Sequence, residues 1–166
     1  MTLPTLETFT CFACSPHNPR GLHLRFEEGG PDRITAVVEL PDDVNGLGGV
    51  AHGGIVATVL DEAMAWVLYR HRAAVYVTAT MTQRFRGTVR TGVPLAVEAT
   101  IDDDGDRRIR ASARIADADR PDRPLAEGSG LYVRAPDRTL QALPDDQRRE
   151  LEALFQHFRD LDDQST

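Results

Sequence analysis

The chain contains no lysine, and all 19 of its basic residues are arginine. We read this as a compositional bias of the source genome. Any one arginine therefore carries little positional information, although each still offers a guanidinium fork suited to phosphate. Cysteine is scarce too: Cys11 and Cys14 are the only two, so the fold must rest on its apolar core rather than on a disulfide framework. No apolar stretch approaches the roughly 20 residues that span a bilayer. The opening Met1-Thr2-Leu3-Pro4 lacks the charged and apolar regions of a signal peptide, so a cytoplasmic location with free thiols is expected. Positive charge is in deficit. A net charge of -7 repels polyanions, and neither nucleic acid nor an anionic membrane is expected as the main partner.

What is present is the make-up of one ordinary globular domain, with 166 residues, 41% of them hydrophobic and 27% charged. Residues 1 to 20 read as irregular and close at the turn signal Asn18-Pro19-Arg20-Gly21. Leu22, Leu24 and Phe26 then alternate with His23 and Arg25. After Gly29-Gly30-Pro31 a β-branched run extends from Ile34 to Leu40, so the pair reads as a hairpin. The segment from Asn45 to Gly54 carries five glycines, the mark of a loop whose backbone approaches something closely.

From Ile55 to about Tyr69 the pattern predicts a helix that is apolar around nearly its whole circumference and buried on most sides. Thr58, Asp61 and Glu62 form a narrow polar seam along it. Four strand-like runs follow at about 75 to 86, 93 to 102, 107 to 117 and 124 to 134. Pro144 to Leu161 spaces Leu151, Leu154, Phe155 and Phe158 at helical intervals. The expected order is ββαββββ plus a C-terminal helix. We divide the chain into an irregular segment at 1–20, a core domain at 21–135 and an acidic amphipathic helix and tail at 136–166.

That order is the order of the hotdog fold, an α+β architecture in which a curled antiparallel sheet wraps a long central helix. The run Gly46-x-x-Gly49-x-x-His52-Gly53-Gly54-Ile55-Val56-Ala57-Thr58-Val59-Leu60-Asp61-Glu62-Ala63 resembles the signature of the phenylacetate-pathway branch of hotdog acyl-CoA thioesterases. The likeness spans roughly residues 11 to 134. The opening Cys11-Phe12-x-Cys14 with Asn18-Pro19-x-Gly21-Leu22 is similar to a subgroup that includes the mammalian mitochondrial acyl-CoA thioesterases. The resemblance implies hydrolysis of an acyl-CoA to free acid and CoA, with no cofactor. By position, Gly53 matches the glycine whose N–H polarises the thioester carbonyl, and Asp61 the carboxylate that attacks it or activates water. Thr78 matches a hydroxyl residue that positions the water, and His52 a supporting histidine. Gly54 and Glu62 fall on the substrate side. Asn45 lies one residue out of register with an Asn or Gln of some relatives. Arg84, Arg86 and Arg90 are placed to meet the CoA phosphates.

The chemistry supports these roles independently, because thioester hydrolysis needs a donor for the developing oxyanion and a base or nucleophile near the carbonyl carbon. A glycine N–H in the first turn of a helix is unpaired by the helix and aided by its dipole. Asp61 and Glu62 lie about 100 degrees apart round the helix, so only one faces the substrate squarely, and the motif selects Asp61. Thr78 shares its expected strand face with Tyr76, Thr80, Thr82, Arg84 and Arg86, which is equally the polar face of a strand. Trp66, Met64 and Leu68 line either an acyl pocket or the core. Cys11-x-x-Cys14 with His17 and His23 fits no common zinc module, and no metal is expected.

Gly53 and Asp61 are eight residues apart, about 12 Å along one helix, too far to share a carbonyl. A homodimer with composite sites is therefore expected, with a dimer of dimers as a further level. The competing readings are a non-enzymatic acyl-CoA-binding or regulatory module and a dehydratase or hydratase. For the latter, Asn18-Pro19-Arg20-Gly21-Leu22-His23 supplies only part of a motif and lacks its preceding Gly-Asp.

Overall fold

In the computed structural model, which describes residues 1–164, six strands form one antiparallel sheet around a central helix. The strands are β1 (Glu27–Glu28), β2 (Arg33–Glu39), β5 (Tyr76–Phe85), β6 (Pro94–Asp104), β7 (Arg108–Asp117) and β8 (Pro124–Arg134), in the spatial order β1-β2-β6-β7-β8-β5. A small ribbon of β3 (Asn45–Leu47) and β4 (Val50–Ala51) precedes the central helix α1 (Gly53–Arg72). Two helices close the chain, α2 (Asp137–Gln141) and α3 (Asp145–Gln164). The expected hotdog architecture is the observed one.

α1 lies across the concave face, packed on β2, β5, β6, β7 and β8. Val56, Val59, Leu60, Ala63, Met64, Trp66, Val67 and Leu68 are buried along it, so Trp66, Met64 and Leu68 belong to the core. Gly128 makes that approach possible, since a Cβ there would meet Leu60 Cδ1 at 3.3 Å. The helix stops at Ala73, which takes a left-handed conformation (φ 44, ψ 44), behind the basic last turn Arg70-His71-Arg72. One flank stays half open: Gly54, Thr58, Asp61 and Ala65 recur at helical spacing, Gly54 exposed and the other three only partly buried.

Three details depart from the sequence reading. The first strand, expected over Leu22 to Phe26, is displaced to the two residues Glu27–Glu28, since His23 adopts a positive φ of 51 and breaks the extended run. Leu22 and Leu24 still bury alternately, but their N–H groups pair with Phe12 O and Ala13 O (both 2.9 Å) instead of with β2. The glycine-rich stretch holds the β3–β4 ribbon. In β5, a bulge between Thr78 and Thr80 shifts the register. Thr78 opposes the inward-facing Tyr132, whereas Met81, Gln83 and Phe85 oppose the inward Gly130, Gly128 and Ala126. The extra residue turns Thr80, Thr82 and Arg84 to the outer face, so Thr78 does not share a face with them.

The N-terminal segment and α3 complete one hydrophobic core with the sheet and α1, through Leu3, Leu6, Leu151, Leu154, Phe155 and Phe158. Arg70 pins this layer. It donates Nε to Glu28 and Nη1 to Asp162 Oδ1 (2.8 Å), and its guanidinium carbon lies 5.6 Å from the centre of the Phe158 ring. No helix among the described residues is long and apolar enough to cross a membrane.

Candidate active site

The N-terminus of α1 is built by His52. Its Nδ1 accepts from Gly54 N at 3.0 Å, and its carbonyl accepts from Ile55 N (2.8 Å) and Val56 N (3.1 Å). With Nδ1 an acceptor, the neutral ring carries its proton on Nε2. The capping bond consumes the Gly54 N–H. That leaves the Gly53 N–H without a hydrogen-bond partner among the described residues, at the positive end of a 20-residue helix. Phe85, at the end of β5, lies over this glycine, and a Cβ added to Gly53 would sit 3.4 Å from its Cζ.

Two turns further along α1, Asp61 is held by two hydroxyls. Thr78 Oγ1 on β5 and Tyr132 OH on β8 each donate to Oδ1 at 2.8 Å. Oδ2 has no partner among the described residues, so the carboxylate is oriented through one oxygen and keeps the other free. Burial, and then the neighbouring Asp61 charge, push the Tyr132 phenol upward, so it stays protonated and donates. Gly130 makes room for it: a Cβ there would come within 2.6 Å of Tyr132 Cε2. Sequence reasoning passed over Tyr132. The available signal was a lone tyrosine two residues beyond the small run Gly128-Ser129-Gly130.

Glu62 turns to another flank of α1. Trp66 Nε1 donates to its Oε1 at 3.0 Å, and Cys11 Sγ lies 3.7 Å from both carboxylate oxygens. Burial, followed by Cys11, pushes this carboxyl up to about 7. Asn45 uses its side-chain amide on Asp42 O. Arg84 and Arg90 are exposed, and Arg86 pairs with Glu127. The structure thus brings Asp61, Thr78 and Tyr132 together, and separately His52, Gly53 and Gly54. A cavity of about 300 Å³ lies elsewhere, on the outer face of the sheet by Thr35, Val37, Glu98 and Arg114, and contains neither Gly53 nor Asp61.

Residues 48–122 match the family model described as the thioesterase superfamily. Sequence comparison with curated proteins returns no match. Among solved structures, a thioesterase superfamily protein aligns with a TM-score of 0.68 and 22% identity over 75% of this chain, and the match spans only 60% of that protein's length. The PaaI protein of the E. coli phenylacetic acid degradation operon aligns with a TM-score of 0.63 and 16% identity, covering 69% of this chain and 81% of its own. A Streptococcus mutans protein bound to acetyl CoA aligns with a TM-score of 0.62 and 15% identity, covering 72% and 94%. At these identities the likeness establishes the hotdog fold, and the segment 48–122, just under half of the chain, is similar to the thioesterase superfamily.

Proposed function

We propose that the protein hydrolyses an acyl-CoA thioester to free acid and CoA, at two equivalent sites built across a homodimer. The observation that carries the reading is one helix bearing both halves of the chemistry: the Gly53 N–H at its start, unpartnered among the described residues, and the oriented carboxylate of Asp61 two turns on. The match of residues 48–122 to the thioesterase superfamily supports a thioesterase-type function, and the acetyl CoA held by one structural neighbour supports CoA as the carrier.

The half-open flank of α1 carries the small residues Gly54, Thr58 and Ala65 beside Asp61, which suits close approach by a second α1. β5 is an edge strand whose residues are almost all exposed, with Val77 49% and Phe85 51% accessible, as expected of a strand that pairs with its symmetry mate. An antiparallel pair of central helices then sets Gly53 of one subunit against Asp61 of the other.

In that site the thioester oxygen accepts from the Gly53 N–H, and the helix dipole stabilises the oxyanion as the carbonyl carbon becomes tetrahedral. Asp61 Oδ2 either attacks the carbon, giving a mixed anhydride that water then hydrolyses to the free acid, or takes a proton from the water that attacks the carbon. In both routes the tetrahedral intermediate collapses with loss of the CoA thiolate, which is protonated to the thiol. Thr78 donates its hydroxyl hydrogen to Asp61 in a hydrogen bond, which leaves its oxygen lone pairs able to accept from the attacking water. His52 shapes the donor loop. Arg84, Arg86 and Arg90 meet the CoA phosphates, while Asn45 and Gly54 border the substrate; Glu62, turned toward Cys11, lies outside its reach. A thiol-release assay over short, long and aromatic acyl-CoAs tests the reading. Turnover of at least one class supports hydrolysis, whereas tight CoA binding without release in any class would mean a binding module.

A further inference from the structure

Glu62 and the two cysteines form a second chemical cluster, which thioester hydrolysis leaves unused. Cys11 Sγ lies 3.7 Å from both Glu62 oxygens, and one ligand atom from each of Cys11, Cys14 and Glu62 falls within 4.8 Å of the other two. The backbone produces this grouping. Ser15 N–H donates to Cys11 O (3.2 Å), winding residues 11–15 into one turn that sets both thiols on the same side. Leu22 and Leu24 clamp that turn through Phe12 O and Ala13 O, and Arg25 donates to Cys14 O at 2.7 Å. From the other side, Trp66 fixes the Glu62 carboxylate through its indole N–H.

We infer that Cys11, Cys14 and Glu62 form a binding site for a thiophilic divalent cation of the Zn2+ type, with three protein ligands and a fourth position open to water. With Zn–S at about 2.3 Å and Zn–O at about 2.1 Å, tetrahedral ligands stand roughly 3.6 Å apart for a sulfur–oxygen pair and roughly 3.8 Å for two sulfurs. The Cys11 to Glu62 separation of 3.7 Å matches the first spacing. Two soft sulfurs select zinc-like ions over magnesium or calcium, which take oxygen ligands. As each sulfur–metal bond forms, the thiol proton passes to solvent, and the dication offsets two of the three ligand charges. The Trp66 hydrogen bond is the outer contact that orients a ligating carboxylate.

Cys14 is 5% exposed and Cys11 half-buried, so the ion has a path in past Cys11. The nearby histidines are engaged elsewhere, His17 with Glu7 (2.7 Å) and His23 with Ser15 O (2.8 Å). A Cys11–Cys14 disulfide would leave Glu62 without a part, whereas a cation uses all three groups. Bound there, it ties the N-terminal turn to α1 one residue from Asp61.

The test uses the full chain, stripped with chelator and kept under reductant, titrated with Co2+ as a spectroscopic substitute for Zn2+. The expected result is one equivalent per chain, a thiolate-to-cobalt charge-transfer band, visible bands of tetrahedral intensity, and loss of all of them on adding Zn2+. Zn2+ but not Mg2+ should raise the thermal midpoint. The double variant Cys11→Ser/Cys14→Ser should lose the charge-transfer band. Glu62→Gln should keep the band with affinity lower by at least about tenfold, both variants being checked for folding by circular dichroism. Absence of the charge-transfer band in the reduced wild-type protein overturns the site whatever the variants do. So does unchanged Co2+ affinity in folded Glu62→Gln, or a disulfide forming in air in a chain that binds no cation when reduced.

Discussion

The phenolic hydroxyl of Tyr132 donates to Asp61 Oδ1 at 2.8 Å, linking the interior of the sheet to the polar seam of the central helix. Tyr132 is fully buried at 0% exposure, so its hydroxyl has no water to turn to and the bond is fixed by packing. Replacing it with Phe keeps the ring and removes the donor. kcat should fall about tenfold with KM nearly unchanged, at a stability cost of about 1–2 kcal/mol. Steady-state kinetics and denaturant unfolding read the two effects separately.

Thr78 offers a graded version of the same test. Ser retains the hydroxyl and Val retains the shape on an exposed edge strand, where a β-branched residue is well tolerated. Thr78→Ser should keep most of kcat and Thr78→Val should lose most of it, both with near-native melting. Equal activity in the two would remove the hydroxyl from the account.

Asp61 and Glu62 are neighbours in sequence with opposite expected phenotypes. Asp61→Asn, nearly isosteric and neither basic nor nucleophilic, should bind acyl-CoA and lose at least about a hundredfold in kcat. Glu62→Gln should retain most turnover, because its side chain faces Cys11 and Trp66. The reverse pattern would move the chemistry to the other flank of α1.

The arginines are tested by substrate truncation. Arg84→Glu, Arg86→Glu and Arg90→Glu should each raise KM for acyl-CoA several-fold and leave a thioester without the nucleotide unaffected. Arg86 should show the smallest effect, since Glu127 already occupies its guanidinium. Equal effects on both thioesters would count against phosphate contact.

Much of the fold was legible because its periods are long and uninterrupted. The apolar run behind Gly53 and the β-branched stretches from 76 to 134 lie within a few residues of the observed bounds. What was hidden depends on backbone events without a residue signature. One is the left-handed His23, which interrupts the run expected to be the first strand; another is the bulge beyond Thr78, which reverses the face of every later β5 residue. The site divides the same way. His52, Gly53 and Asp61 are contiguous enough to read as a motif, whereas Tyr132 is 71 residues from Asp61 and Glu62 is 51 from Cys11. Only the fold brings those partners together.

The central claim is that Gly53 of one subunit works with Asp61 of the other, and subunit mixing tests it most directly. Gly53→Pro deletes the donor N–H at the first helical position, where proline is accommodated, and His52 already holds the extended conformation (φ -59, ψ 136) that a following proline requires. Gly53→Pro and Asp61→Asn should each be inactive alone. On reassortment, each mixed dimer collects both lesions in one site and leaves the other intact, so statistical mixing should restore about a quarter of wild-type activity. No recovery, with both variants folded and subunit exchange verified, would contradict the composite site.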